Sequence, residues 1–271
     1  MKKQAILLIH FGTTHDDTRE KTIDAFRKKV ELSFADWDVF EAFTSRMIIK
    51  RLKARGIVKQ NPLELLQELK EQGYTHIYVQ TSHILHGIEY ENLKEELASY
   101  KKEFEEIKMG EPLLSSVEDY KQVVSALGKR QKTVENQVVV YIGHGTEHAA
   151  NASYSMMRYV FFQEGYSPFF MGTVEGYPEF PEVLKEIQVQ YPLEKPKVIL
   201  KPFMFVAGEH AKNDIAVDWK KAFEEAGFVV SDVVLEGLGE ILEIQDIFMK
   251  HLQEAIENQR ESIAEYKKKL S

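Results

Sequence analysis

A strand followed by a glycine turn occurs twice in this chain, in the same order in each half. Residues 5–15 (AILLIHFGTTH) are similar to residues 138–148 (VVVYIGHGTEH). Further along each half, residues 80–89 (QTSHILHGIE) are similar to residues 201–210 (KPFMFVAGEH). Two matches in the same order indicate a duplicated unit more strongly than either match alone. The chain is therefore predicted to fold as two similar halves.

Short apolar runs alternate with amphipathic stretches along the whole chain. The predicted strands are residues 5–10, 38–43, 76–80, 137–142, 168–174, 197–203 and 228–234. The predicted helices are residues 18–32, 62–72, 91–106, 116–131, 179–190, 209–226 and 243–267. Such alternation indicates an α/β protein with parallel sheets covered by helices on both faces. We predict two Rossmann-like halves, residues 1–130 and 131–271, with the last helix free to pack back onto the first half.

The composition excludes several classes of site and of partner. The chain has no cysteine, so disulfides and thiolate ligands are excluded, and a metal site would use His, Asp, Glu or backbone oxygen. A net charge of −8 argues against nucleic-acid binding. No apolar run approaches the ~20 residues of a membrane helix, and no export signal is recognisable. We therefore expect a cytoplasmic protein, and a homo-oligomer remains open.

Three polar residues follow predicted strands of the second half. His144 lies between two glycines, Glu175 follows the strand at 168–174, and His210 stands at a strand-to-helix junction. Because ligands bind beyond the carboxyl ends of the strands in open α/β sheets, the three can converge on one cleft. Two imidazoles and a carboxylate suit a transition metal, and imidazole also accepts protons near neutral pH. Taken singly, the first fits a phosphate-binding turn and the other two fit helix caps or solvated groups.

The remaining histidines and a basic cluster are weaker candidates. His83 and His86 stand three apart after a strand and could face the cleft from the first half. Arg46 belongs to a basic cluster that would bind ligand carboxylates if it faced the cleft, although most such clusters are solvated helix faces. We expect His15 and His148 to cap helices. His76 is predicted to begin a strand, and His251 to lie on a helix surface.

Nucleotide-binding and hydrolase motifs are missing from the chain. It contains no Gly-x-x-x-x-Gly-Lys-Ser/Thr loop, no Gly-x-Gly-x-x-Gly turn after a strand, no Gly-x-Ser-x-Gly and no His-Glu-x-x-His. ATP-driven chemistry of the P-loop type is therefore not expected.

Seven stretches, spread in order along nearly the whole chain, resemble the anaerobic sirohydrochlorin cobaltochelatases, which are class II chelatases related to ferrochelatase. The stretches are residues 11–14 (FGTT), 42–49 (AFTSRMII), 83–90 (HILHGIEY), 112–116 (PLLSS), 143–145 (GHG), 174–178 (VEGYP) and 206–214 (VAGEHAKND). So many stretches in the right order are far more specific than any one of them. The chain departs from the family at two positions, where His10 replaces a common serine and His86 a common asparagine.

The resemblance implies a chelatase-like fold that binds a tetrapyrrole in the cleft between its halves. It implies that His144 is the catalytic base and a metal ligand, with His210 and Glu175 as the other metal ligands. We expect the metal to be a substrate, Co²⁺ in first place with Fe²⁺, Ni²⁺ or Zn²⁺ as alternatives, and no further cofactor. A tetrapyrrole carrier without catalysis, or a two-domain solute-binding protein, would be the alternative.

Contacts to the tetrapyrrole are predicted after the strands of both halves. Backbone N–H groups at helix starts, including the turn at Thr13 and Thr14, would meet its carboxylates together with basic side chains. The predicted substrate-binding residues are Phe11, Gly12, Thr13, Thr14, Arg46, His83, His86, Glu89, Gly145 and Thr146.

Overall fold

Two four-stranded parallel sheets form the framework of the molecule, in a computed structural model that describes residues 3–131, 135–209 and 211–258. In the first half, β1 (Gln4–His10), β2 (Asp38–Phe43), β3 (His76–Thr81) and β4 (Glu106–Met109) pair in the order β2-β1-β3-β4. In the second half, β5 (Gln137–Gly143), β6 (Phe169–Thr173), β7 (Lys197–Pro202) and β8 (Val230–Val233) pair in the order β6-β5-β7-β8. The predicted α/β fold with two Rossmann-like halves is confirmed.

Ten α-helices lie within the described residues; nine come between the strands, and the tenth follows the last strand. They are α1 (Asp16–Arg19), α2 (Ala25–Ser33), α3 (Arg46–Ala54), α4 (Pro62–Glu71), α5 (Ile88–Ser99), α6 (Val117–Arg130), α7 (Ala152–Gln163), α8 (Phe180–Gln190), α9 (Lys220–Glu225) and α10 (Leu242–Glu257). Two π-helical segments, Glu20–Asp24 and Ala211–Trp219, continue into α2 and α9. None of the helices in the described part of the chain has the length and apolar character needed to cross a membrane.

The duplication extends to single backbone hydrogen bonds. The N–H group of Ser82, just after β3, donates to the carbonyl of Ile9 on β1 at 3.0 Å. In the second half, the N–H group of Phe203, just after β7, donates to the carbonyl of Ile142 on β5 at 2.7 Å. Both bonds extend the parallel ladder by one residue beyond the strand end. The loops that follow the strands therefore leave the two sheets at corresponding positions.

The central strands β1 and β5 are apolar along most of their length because both faces of each sheet are buried there. On β1, Ile6 and Leu8 join a central core shared by the two halves, whereas Ala5, Leu7 and Ile9 pack into a core confined to the first half. The strand β5 alternates in the same way between the central core and a core confined to the second half. Two buried faces with a period of two residues give a continuous apolar run. Polar side chains are therefore expected at the carboxyl ends of the strands, where the loops begin.

The structure adds elements that the sequence patterns did not predict. The predicted helix at 91–106 ends earlier, with α5 at Ser99, and the short edge strand β4 begins where that helix was expected to end. The helices α3 and α7 were not predicted either. The last predicted helix, 243–267, corresponds to α10 up to Glu257, and its residues from 259 onward lie outside the described residues.

The last helix, α10, packs against the first half. His251 on α10 is 3% exposed, and its Nε2 lies 3.2 Å from Oδ1 of Asp119 at the start of α6. Its Nδ1 lies 3.2 Å from the carbonyl oxygen of Glu111. The expectation that His251 lies on a helix surface was therefore wrong, because its partners come from distant parts of the chain. The division at residues 130 and 131 remains a proposal, with α10 added to the first half.

Replacing His251 with leucine is expected to destabilise the protein by about 1.5–3 kcal/mol, the range for a hydrogen bond to a charged group. Burial raises the pKa of Asp119, but the hydrogen bond and charge of His251, together with Ser116 and Lys250, outweigh burial and keep the pKa below its ordinary value. The pair therefore stabilises the fold above pH 3.8, the ordinary value for an aspartate, and this contribution is lost as pH falls through the lower folded-state pKa.

Urea unfolding at neutral pH measures this change. Gln253→Ala, at an exposed position of the same helix, is the control and should change stability by less than about 0.5 kcal/mol. Equal midpoints for His251→Leu and the control would show that the buried pair does not stabilise the docking of α10.

Candidate active site

An imidazole and a carboxylate meet at the carboxyl edge of the second sheet. His144 follows β5 directly, and Glu175 lies two residues beyond β6. Nδ1 of His144 is 3.8 Å from Oε2 of Glu175. Their side chains are 45% and 67% exposed, so both are accessible to a ligand that enters from solvent. The pair predicted from sequence is thus assembled at one point.

A backbone hydrogen bond and a glycine hold the two segments together. The N–H group of Glu175 donates to the carbonyl of His144 at 2.7 Å, which continues the β5–β6 ladder past the strand ends. Gly145 has a φ of +88°, a conformation that side chains disfavour. A Cβ at this position would lie 2.2 Å from the carbonyl oxygen of Glu175. The close approach of the imidazole and carboxylate segments therefore requires glycine at position 145.

Two side chains that were not predicted from sequence support this loop. Asn151 accepts a hydrogen bond from the N–H group of Thr146 at 3.1 Å and donates one to the carbonyl of Tyr177 at 2.6 Å. The N–H group of Gly145 donates to the hydroxyl of the buried Tyr154 at 3.2 Å. These bonds tie the β5 loop to the β6 loop and to α7. No sequence motif marks either residue, since both act through backbone groups of other segments.

The third predicted ligand, His210, lies outside the described residues, but its neighbour Glu209 is held from the first half. Oε2 of Glu209 is 2.9 Å from Nε2 of His15, and Nζ of Lys212 is 3.2 Å from Nδ1 of the same ring. Hydrogen bonds from Asn213 and His15 lower the pKa of the Glu209 carboxyl. His15 thus links the loop after β1 to the loop after β7, rather than capping α1 with its side chain.

The corresponding positions of the first half carry different side chains. The N–H group of Ser45 donates to the carbonyl of Phe11 at 3.3 Å, as Glu175 does to His144 in the second half. Phe11 therefore occupies the place of His144, and Ser45 that of Glu175. Among these matched loop positions, the imidazole and carboxylate occur only in the second half, so the duplicated framework has one such pair. Phe11 is 46% exposed and offers an apolar surface at the matching position.

Two imidazoles lie at the carboxyl edge of the first sheet, His10 buried and His83 half-buried. His10 ends β1, and its Nδ1 is 2.9 Å from Oγ of Ser82. Nδ1 of His83 hydrogen-bonds to the hydroxyl of Thr81. Burial, with a contribution from the charge of Lys59 that Asp24 partly opposes, lowers the pKa of His10 to about 3. Burial, with a contribution from His10, lowers the pKa of His83 to about 4. Both rings are therefore neutral near pH 7.

The remaining predicted contacts lie in the loops and helix starts of the first half and in the loop of His144. The hydroxyl of Thr13 accepts from the N–H group of His15 at 3.2 Å, and that of Thr146 accepts from His148 at 3.1 Å, so the two turns match. The carbonyl of Thr14 accepts from Arg55. Gly12 has a φ of +97°. Arg46 and Glu89 are exposed in the first turns of α3 and α5. Nε2 of His86 lies 3.2 Å from Oε2 of Glu111 and 3.0 Å from Oγ of Ser115.

His148 caps the short helical turn Ala149–Asn151, as predicted, because its Nδ1 accepts from the N–H group of Ala150 at 3.2 Å. His76 begins β3, also as predicted. These two imidazoles therefore have local roles in the backbone and are set apart from the His144–Glu175 pair.

The chain is similar to cobalt chelatases. The family model described as Cobalt chelatase (CbiK) matches residues 4–257. The sirohydrochlorin cobaltochelatase of Salmonella typhimurium strain LT2 is 38% identical over 260 residues, which is 94% of this chain and 97% of that protein. The sirohydrochlorin cobaltochelatase CbiKC of Nitratidesulfovibrio vulgaris strain Hildenborough is 31% identical over 268 residues, 94% of this chain and 92% of that protein.

Solved structures agree with this similarity at the level of the fold. SirB from Bacillus subtilis with Fe³⁺ superposes with a TM-score of 0.66 at 17% identity, covering 95% of this chain and 97% of that one. The sirohydrochlorin chelatase SirB of Bacillus subtilis subspecies spizizenii, in complex with cobalt, gives a TM-score of 0.65 at 17% identity, with 94% and 96% covered. At this identity the likeness concerns the fold alone.

Proposed function

The chain belongs to the cobalt chelatase family, and we propose that it inserts Co²⁺ into sirohydrochlorin without ATP, in the cleft between its two halves. The observation that carries the proposal is the His144–Glu175 pair, 3.8 Å apart and exposed at the edge of the second sheet. A carboxylate beside an imidazole can hold a divalent ion and still leave coordination positions open. The tetrapyrrole must then be held so that its nitrogens reach an ion at these two side chains.

Metal insertion requires a base as well as a metal ligand. Two pyrrole N–H protons leave the ring, one to a protein base and the other to water, and the dication binds the four ring nitrogens in place of its hydration shell. The dication replaces two protons, so the charge of the ring does not change. The imidazole of His144 takes up one pyrrole proton, because imidazole is the side chain best suited to accept a proton near neutral pH. Glu175 and His210 hold the ion over the ring while its hydration shell is exchanged for nitrogen ligands.

The first half supplies the surface against which the ring is held. Phe11 is exposed at the position that matches His144, so it offers an apolar contact to the ring face. The N-terminus of α3, with Arg46 in its first turn, and the turn at Thr13 and Thr14 present N–H groups and positive charge to the ring carboxylates. Because Arg51 of α3 contributes to the lowered pKa of Glu209, this basic helix face is close to the second half.

An anaerobic absorbance assay tests the proposal. Sirohydrochlorin and Co²⁺ are mixed with catalytic amounts of the protein and no nucleotide, and the same mixtures are run with Fe²⁺, Ni²⁺ and Zn²⁺. We expect many turnovers per protein molecule, fastest with Co²⁺, above the rate without protein. A spectral shift that stops at one ring per chain, with or without metal, would contradict catalysis and favour a tetrapyrrole carrier. A faster rate with another ion would reject the assignment of Co²⁺ alone.

A further inference from the structure

One imidazole of the first half reaches two residues of the second half. Nε2 of His15, in the loop after β1, lies 2.9 Å from Oε2 of Glu209, and its Nδ1 lies 3.2 Å from Nζ of Lys212. Both partners belong to the segment that follows β7. These two contacts form the His15 bridge, which joins the carboxyl edges of the two sheets. The mechanism proposed above makes no use of it.

The contacts of the ring assign a donor and an acceptor to its two nitrogens. An ammonium group can only donate hydrogen bonds, so Nδ1 of His15 accepts from Lys212. The other nitrogen of the neutral ring then carries the proton and donates to the carboxylate of Glu209. The His15 bridge therefore needs a side chain that donates on one side and accepts on the other.

Further hydrogen bonds orient both ends of the His15 bridge. Oε1 of Glu209 accepts from Nδ2 of Asn213 at 2.8 Å, and the N–H group of His15 donates to the hydroxyl of Thr13 at 3.2 Å. The side chains of His15 and Glu209 are 25% and 59% exposed, and partly exposed pairs of this kind add little to stability. The bridge is therefore better suited to orient the segment after β7 than to hold the fold together.

The place of the His15 bridge in the chain connects it to the metal. Glu209 and Lys212 stand on either side of His210, the third ligand of the proposed site. The other two proposed ligands, His144 and Glu175, lie on the loops after β5 and β6. The geometry of the three ligands therefore depends on how the segment after β7 is held. Removing a group that orients a ligand commonly weakens metal binding by about 10- to 100-fold.

We propose that His15 is a positioning residue for the metal site. By bridging Glu209 and Lys212 from the first half, it fixes the segment that carries His210 and so raises the affinity for the metal. This inference rests on the proposed function, in which His210 is a ligand. It goes beyond that function because it gives the first half a part in a site whose ligands all belong to the second half.

Co²⁺ binding without a tetrapyrrole tests this role. Affinity is measured by anaerobic equilibrium dialysis, and the visible absorption is recorded at saturating Co²⁺. The variants are His15→Ala, which breaks the bridge, and His15→Gln, whose amide can still donate to Glu209 and accept from Lys212. The matched control is His148→Ala, because that imidazole holds the corresponding position of the repeat but bonds to Ala150 in its own loop. Circular dichroism and urea unfolding establish that each variant is folded.

We expect His15→Ala to weaken Co²⁺ binding by about 10-fold, the lower end of the range for such groups, because the bridge is partly exposed. The absorption at saturation should stay the same, since no ligand is lost. His15→Gln and His148→Ala should bind almost as tightly as the unsubstituted protein. The proposal is overturned if His15→Ala binds normally or if either of the other variants loses as much affinity. A changed absorption at saturation would also overturn it, because His15 would then be a ligand itself.

His144→Ala separates this inference from the proposed function. It removes a proposed ligand, so it should weaken Co²⁺ binding more than His15→Ala does. If His144→Ala weakens binding and His15→Ala does not, only the role of His15 is rejected. If the unsubstituted protein binds no Co²⁺, or if His144→Ala binds equally tightly, the proposed metal site fails and the role of His15 fails with it.

Discussion

Replacing His144 with alanine is expected to lower the rate of Co²⁺ insertion into sirohydrochlorin by about 100- to 10,000-fold, the range for loss of a general base. The loss would be larger if the same ring also holds the ion. Stability should hardly change, because the side chain is 45% exposed. The measurement is the initial rate of the anaerobic absorbance change, together with the urea midpoint of each protein.

The control for this variant is His148→Ala, in the same loop. That imidazole accepts a hydrogen bond from the N–H group of Ala150, so its loss should cost about 1 kcal/mol of stability and leave most of the rate. Comparing the insertion rates of the two variants thus separates the effect of losing the imidazole beside Glu175 from the effect of losing another imidazole in the same loop. Near-normal turnover by His144→Ala would reject its role as base and ligand, and an equal loss in both variants would point to disruption of the loop.

The central strands were predictable because they are apolar on both faces. Ala5 and Ile6 are buried on opposite sides of the first sheet. A strand covered by helices on both sides therefore appears in the sequence as a short, continuous run of apolar residues. The edge strand β4 lacks this signal. Its sequence, Glu-Ile-Lys-Met, is only half-buried and follows a helical pattern without a strong break. Position at the edge of a sheet is a tertiary property, so local periodicity could not reveal this strand.

The proximity of His144 and Glu175 was predictable, but the residues that support their loops were not. His144 and Glu175 stand out because each follows a strand and precedes a turn, which is where α/β proteins bind ligands. Asn151 and Tyr154 act on the backbone of other segments, and such contacts leave no local pattern. Burial of His251 against Asp119 likewise depends on residues far apart in the chain. The repeat predicted corresponding loops, and the matched hydrogen bonds of Phe11 and His144 show how closely the backbones agree.

Replacing Gly145 with alanine is expected to reduce metal insertion by at least about 100-fold, even though no proposed ligand is changed. The new Cβ would lie 2.2 Å from the carbonyl oxygen and 2.5 Å from the carbonyl carbon of Glu175. These are backbone atoms, so a change of side-chain rotamer cannot relieve the contact. The β5 and β6 loops must move apart, which weakens the hydrogen bond from Glu175 to His144 and separates the imidazole from the carboxylate.

Gly165→Ala is a matched control, because the two glycines share the same backbone conformation. Gly165 has a φ of +87° against +88° for Gly145, but a Cβ there would have no atom within 4 Å. Left-handed strain alone should cost each variant about 1–2 kcal/mol. The steric contact at Gly145 should add about 1–3 kcal/mol, the range for overpacking. Urea unfolding and the insertion rate are measured for both proteins.

The comparison separates backbone strain from the geometry of the pair. If strain alone matters, the two variants lose the same stability and both keep their rate, and the role given to the close approach at Gly145 is wrong. If the approach sets the spacing of His144 and Glu175, only Gly145→Ala loses the rate, and the loss persists when substrate and metal are saturating. A rate lost in this way, with both side chains still present, would mean that insertion depends on the separation of imidazole and carboxylate as well as on their chemistry.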